Sequence, residues 1–443
     1  MQNSPKSLSR WWLLIGCWSV ALAGLFSIVL VVARAPQLKE MPLFTRLFHE
    51  ALVVHVDLSV LVWFMAIACL LWSIMVAKSR SFIPYLEEAA LISTALGTAA
   101  ITLSPLDPKG EAMMSNYIPV IYSPVFFLGL ALLFCGAGLM LLRLFTAKAS
   151  ESIFNKEQRF GLQVAGVVTF ISLCAFIWSY AMMPKVIDGT QYYEILFWGG
   201  GHILQFTHTQ ILMICWWLMI VALVPTFTLH KRIAYVLLSV ALAAALVSPL
   251  GYVGGDVSSM QHRQFFTNLM IGLNGHASAI FMLLLLVPLW RARSERKGAN
   301  RALWSCLVTS IFLYAYGGVL GLMIQGQNVV IPAHYHGSIV GITLAFMGVA
   351  YLMFPKLGYR NVAGWRLAYW QPIVYAVGQV MHISGLAWSG GYGVLRKTPG
   401  GIEHMELPVK IAMGFMGGGG LIAIFGGLMF VIVAAKAVFG KQH

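Results

Sequence analysis

AHYHGSIVGITLAFMGVAYLMFPK, residues 333–356, decides the fold. It opens on His334 and His336 and continues as an apolar run to Phe354-Pro355. A predominantly apolar run of about 20 residues or more crosses a bilayer as a helix. Helix positions i and i+2 point about 200° apart, so this short piece of backbone offers imidazoles to two opposite sides.

Similar runs recur along the chain, at roughly 11–33, 49–77, 84–105, 118–146, 160–183, 197–227, 233–253, 264–290, 302–325, 365–391 and 406–438. With residues 333–356 they make twelve, joined by connections too short for a soluble domain. The expectation is an all-α polytopic membrane protein of twelve transmembrane helices, a single transmembrane domain over residues 1–443. Composition agrees: 59% of the 443 residues are hydrophobic and 10% charged, against about a quarter charged in soluble domains. The first run follows Lys6 and Arg10, but its length and Pro36 after Ala33-Arg34-Ala35 argue for a retained helix rather than a cleaved signal.

The net charge of +14 suits loops facing anionic lipid rather than nucleic acid. With the N-terminus inside, 20 of the 29 Lys and Arg fall in inside loops and nine outside. This bias predicts two cytoplasmic termini in a bacterial-type inner membrane. The six cysteines are isolated within apolar runs, so no disulfide framework is expected. The absence of C-x-x-C-H excludes a c-type heme attached to this chain, so a redox partner must be another molecule.

On this topology His55, His202, His334 and His336, from three distant segments, fall near one depth toward the outer face. Ionisable residues inside a membrane are costly, which makes each a functional candidate. Neutral imidazole is the common proximal ligand of heme iron, so His334 and His336 are candidate axial ligands of two hemes; two interfacial histidines bound to loop carbonyls is the alternative. His55 in VHVDLS is a candidate second ligand to one of those hemes. His202 follows Gly199-Gly200-Gly201, which permit close approach of a helix or a flat cofactor, and is a candidate for the open heme face or a second metal. His276, near mid-span in Asn274-Gly275-His276-Ala277-Ser278, suggests a metal ligand, a proton path or an interhelical hydrogen bond. Arg396 and Lys397 are candidates for pairing with heme propionates. His382, mid-span, is read as structural.

Together these features resemble the catalytic subunit I of the heme–copper oxidase superfamily, which includes cytochrome c oxidases, quinol oxidases and nitric oxide reductases. The resemblance covers nearly the whole chain. AHYHGSIVGITLAFMGVAYLMFPKLG is similar to the family's tenth helix, which implies that His334 binds the active-site heme and His336 the low-spin heme. VHVDLSVLVWFMA is similar to the second helix, implying His55 as the low-spin partner of His336. GGGHILQF is similar to the sixth-helix motif, implying His202 as a ligand of a non-heme metal. GLAWSGGYGVLRKTPG resembles the segment whose basic pair, here Arg396 and Lys397, contacts propionates.

The copper half of the family pattern is largely missing. No His-His occurs, Ser248 and Pro249 stand near those positions, and Phe206 and Leu204 replace the family's tyrosine and glutamate. His202 with His276, His208 or His262 is the remaining candidate set for copper or another non-heme metal. The resemblance therefore implies two hemes and a membrane-bound respiratory oxidoreductase, a terminal oxidase or nitric oxide reductase passing electrons to O2 or NO. The missing histidines favour the alternative of a copper-less diheme electron-transfer or quinol-oxidising subunit. Its partners would be membrane lipid and a cytochrome c-type or other redox protein, or quinol.

Overall fold

The computed structural model describes residues 5–33, 41–79, 83–147, 153–325, 328–392 and 406–440. Arg396 and Lys397 lie outside the described residues. Among those described, twelve long helices follow one another: α1 Leu8–Ala33, α2 Arg46–Val76, α3 Leu86–Leu106, α4 Pro124–Thr146, α5 Lys156–Ala181, α6 Gly189–Leu223, α7 Lys231–Tyr252, α8 Met260–Lys297, α9 Arg301–Leu322, α10 Val330–Lys356, α11 Arg366–Gly391 and α12 Leu407–Phe439. All but α11 are long and apolar enough to cross a bilayer. At 26 residues α11 is long enough too, about 39 Å at 1.5 Å per residue. Its lower apolarity comes from Gln371, Gln379, His382, Ser384 and Ser389. The chain is a multi-pass membrane protein.

Local chemistry sets several helix starts. Asn155 caps α5 in a reciprocal box: its side chain accepts from the Gln158 backbone at 2.7 Å, and Gln158 accepts from the Asn155 backbone at 3.1 Å. Ser259 caps α8 by accepting from His262 N at 3.2 Å. Two helices are interrupted by π turns, α2 over Asp57–Val62 and α8 over Met270–Asn274. Such turns mark functional sites more often than chance, and these lie just after His55 and just before His276. The expected span 118–146 begins six residues late, at Pro124, because Val120–Ile121 pairs as a short antiparallel strand with Ala112–Met113.

The chain divides into two compact units, Met1–Ile214 with Leu229–Ile280, and Cys215–Thr228 with Phe281–His443. The first holds α1–α5, most of α6, α7 and the start of α8. Several of its buried polar groups pair across helices, as the bilayer favours. Ser9 and Ser73 hydroxyls lie 2.6 Å apart, Trp72 donates to the Leu162 carbonyl at 2.9 Å, and Gln210 donates to the Gly161 and Leu238 carbonyls. Arg143 donates to the carbonyls of Val76 and Ser79, each at 2.9 Å.

The second unit is built around α10, buried along most of its length. A chain of bonds runs from Trp216 Nε1 to Ser310 Oγ (2.8 Å) and on to the Gly341 carbonyl (2.6 Å). Tyr351 donates to Gln371 Oε1 at 2.9 Å, and Gln371 Nε2 reaches the Gly426 carbonyl at 3.3 Å. α9 and α10 approach closely through Gly317-x-x-x-Gly321 and Gly337-x-x-x-Gly341. A Cβ at position 337 would stand 2.5 Å from the Gly317 Cα, so only glycine fits the crossing. This small-xxx-small contact holds helices together where lipid supplies no hydrophobic drive.

Candidate functional site

In the first unit, His55 sits on the last α-helical turn of α2 before the π turn. Its Nδ1 lies 2.9 Å from the Ala23 carbonyl and 3.0 Å from Ser27 Oγ on α1. A carbonyl only accepts, so Nδ1 carries the proton and Nε2 keeps its lone pair. Metal-ligating histidines are characteristically oriented by such a second bond.

In the second unit, His334 repeats the arrangement. Its Nδ1 lies 2.7 Å from the Gly317 carbonyl on α9, again leaving the Nε2 lone pair. The ring fits because position 321 has no side chain: a Cβ there would stand 2.6 Å from Nδ1. His336, half-buried, lies edge-on to His382 of α11, with ring centroids 5.2 Å apart at 75°. His382, read from sequence as structural, is thus a neighbour of a candidate ligand.

His202 is different. It is only 1% exposed, and both its ring nitrogens are engaged. Nδ1 lies 2.7 Å from the Trp198 carbonyl, so it donates; Nε2 lies 2.9 Å from the Tyr117 hydroxyl and accepts from it. Tyr117 comes from the 107–123 segment between α3 and α4. Burial, reinforced by the Glu194 carboxylate, pushes its phenol well above the usual range, which keeps it a neutral donor at physiological pH. The segment is pinned at both ends. Arg46 pairs with Glu50 at 2.7 Å and donates to the carbonyls of Pro108 (2.8 Å) and Asp107 (2.5 Å). The Asp107 carboxylate accepts from Ser123 at 2.6 Å, which draws it below its ordinary pKa. At the other end the Asn116 backbone and side chain both donate to Glu194.

The glycines before His202 serve this arrangement. A Cβ at 199, 200 or 201 would collide with Tyr252, Phe176 or Tyr117 respectively. Aromatic side chains occupy the space that the sequence left open to a helix or a flat cofactor. Replacing Tyr117 by Phe leaves His202 Nε2 buried and unpaired, a cost of about 1–3 kcal/mol. We expect a lowered Tm for Tyr117→Phe in detergent, and an unchanged Tm would contradict the pairing.

Of the other histidines named with His202, His262 comes near it, the rings of His262 and His202 packing against the same Phe266 at 4.9 and 6.0 Å, whereas His208 and His276 do not join them. His208 packs its ring against Phe64 at 4.9 Å, and His276 is exposed on α8. His262 is 3% exposed, holds the Gly251 carbonyl through Nδ1 at 2.8 Å, and has its ring against Tyr252 and Phe266 at 5.0 and 4.9 Å. Among the described residues no group of three or more His, Cys, Asp or Glu is placed to hold a metal ion.

Residues 7–422 match the family model for cytochrome C and quinol oxidase polypeptide I. The chain belongs to this family. The fold agrees: a heme-copper terminal oxidase, solved as a dimer by cryo-EM, aligns with a TM-score of 0.74 at 16% identity, over 100% of this chain and 85% of that one. An uncharacterized protein of Rickettsia prowazekii (strain Madrid E) is 34% identical over 99% of this chain and 97% of its own length. An uncharacterized protein of Aquifex aeolicus (strain VF5) is 28% identical over 80% of this chain and 86% of its own.

Within the cytochrome c and quinol oxidase polypeptide I family the typical prosthetic group is heme. His55 and His334 fit that role, each donating Nδ1 to a carbonyl and leaving Nε2 for iron. A copper ion does not fit the residues around His202. Copper in such geometry takes about three imidazoles; His202 has both nitrogens in hydrogen bonds, and of the histidines named with it only His262, whose buried Nε2 is unpartnered, lies near. Tyr117 escaped sequence reading because it lies 85 positions from His202 in a non-periodic segment. The available signal for His382 was its mid-span position, which alone marks an ionisable residue as a candidate.

Proposed function

We propose that this chain is a heme-bearing electron-transfer subunit of a respiratory membrane complex, built on the oxidase fold without its copper site. In this reading His55 and His336 would hold one heme, of low-spin type, and His334 would hold a second. Heme, when bound, supplies one-electron redox chemistry. The chain's own residues hold and tune it: the Ala23 and Gly317 carbonyls keep the protons of His55 and His334 on Nδ1 and raise the basicity of Nε2. His334 and His336 stand two positions apart on α10, so hemes held by them would be supplied from one helix. Arg396 and Lys397 are assigned to propionate pairing. The distribution of basic residues supports cytoplasmic termini, with the hemes toward the outer side. The electron donor would be quinol or another redox protein.

The observation that carries the copper-less reading is the Tyr117–His202–Trp198 chain, which uses both nitrogens of the histidine expected at the copper position. A second reading, reduction of O2 or NO at the His334 heme, is favoured by membership of the oxidase family. Turnover separates the two. Purified protein supplied with reductant is expected to reduce its hemes and pass electrons to an artificial acceptor without consuming O2 or NO. Catalytic consumption of either gas would replace the first reading by the second.

A further inference from the structure

We infer that His382 is a positioning residue for His336, fixing the ring plane of the candidate low-spin ligand from the α11 side; this rests on the reading of His336 as a heme ligand. His382 is itself fixed. Its Nδ1 lies 3.0 Å from the Met416 carbonyl on α12, which only accepts, so the ring carries its proton there and is held in plane. The approach of α12 depends on Gly419, where a Cβ would collide with the His382 backbone nitrogen; one at 420 would make only ordinary contact with Nδ1, at 3.5 Å. Two residues along α11, Ser384 bonds Tyr316 of α9 at 2.9 Å, tying the same stretch of helix from a second side.

Against this anchored ring lies His336, 5.2 Å away at 75°, an edge-to-face contact. Tyr335 lies 5.1 Å from the His336 ring at a 34° tilt. The orientation of an axial imidazole decides how its orbitals overlap those of the iron, so outer-shell contacts that restrain a ligand ring tune the metal without touching it. The three helices α10, α11 and α12 thus form a relay: the Met416 carbonyl orients His382, and His382 orients His336.

The test uses heme-loaded full-length protein in four forms: wild type, His382→Leu, His382→Phe and His336→Ala. Heme content is measured as pyridine hemochrome, the low-spin ferric signal by electron paramagnetic resonance, and the midpoint potential by redox titration. His382→Leu is expected to keep its heme while the largest g value shifts and the potential moves. His382→Phe, with an aromatic ring but no anchor, is expected to shift in the same sense and by less. It carries the comparison if the Leu variant does not accumulate. Unchanged g value and potential in the His382 variants would overturn the inference, and so would outright loss of the low-spin heme in both. Retention of the low-spin signal in His336→Ala would instead overturn the ligand reading on which the inference rests.

Discussion

His336→Ala is expected to abolish the low-spin heme spectrum, and His55→Ala to do the same, with heme content falling by about half in each case. A low-spin heme needs a strong-field ligand on both faces, and removal of either leaves a five-coordinate iron with a different spectrum. The two variants should therefore be alike in spectrum although they alter helices far apart in sequence. His55 should be sensitive to its surroundings, since its tautomer depends on the Ala23 carbonyl and on Ser27 beside it. Loss of such outer partners typically costs metal affinity about 10–100-fold. His334→Ala, by contrast, should spare the low-spin spectrum and remove the second heme. An unchanged reduced-minus-oxidised spectrum in either His336→Ala or His55→Ala would refute the ligand assignment.

Gly337→Leu should prevent accumulation of folded protein. At this point α10 and α9 touch backbone to backbone: a Cβ at 337 meets the Gly317 Cα at 2.5 Å and its nitrogen at 2.8 Å. No rotamer relieves a clash that begins at Cβ, so the helices must separate. Overpacking of a side chain against side chains costs about 1–3 kcal/mol, and a clash with backbone costs more. Separation also draws the Gly317 carbonyl away from His334 Nδ1, so any protein that survives should bind the second heme weakly. The matched control is Gly414→Leu on α12, where a Cβ meets nothing within 4 Å. That variant gains helix propensity of up to about 1 kcal/mol and should be tolerated. Equal thermal stability of the two variants in detergent would show that the glycine crossing does not hold α9 to α10.

The helices were legible because the bilayer imposes one length and one composition on every span, and residues 333–356 meet both almost to the residue. α11 shows the limit of that rule. Its Gln371 is satisfied internally, by Tyr351 and the Gly426 carbonyl, and such satisfaction is invisible in a hydropathy pattern. The π turns beside His55 and His276 were equally hidden, since no residue type marks them. At the site, the histidines were legible as types and their partners were not. The carbonyls of Ala23, Gly317 and Trp198 belong to backbone, and any sequence could supply them. The glycine run before His202 was correctly read as a place of close approach, but sequence could not say that Tyr117, Phe176 and Tyr252 fill it. His276 has the right chemistry for a ligand and the wrong face of its helix. The copper motif was read as broken from missing residue types, whereas the bonding of His202 to Tyr117 and the Trp198 carbonyl had no mark in the sequence.

The metal and heme stoichiometry of the purified protein tests the central claim most directly. Elemental analysis with pyridine hemochrome should find two heme irons per chain and no stoichiometric copper or other non-heme metal. Two heme irons together with one copper would contradict the account and return His202 to the ligand role from which Tyr117 is here taken to remove it.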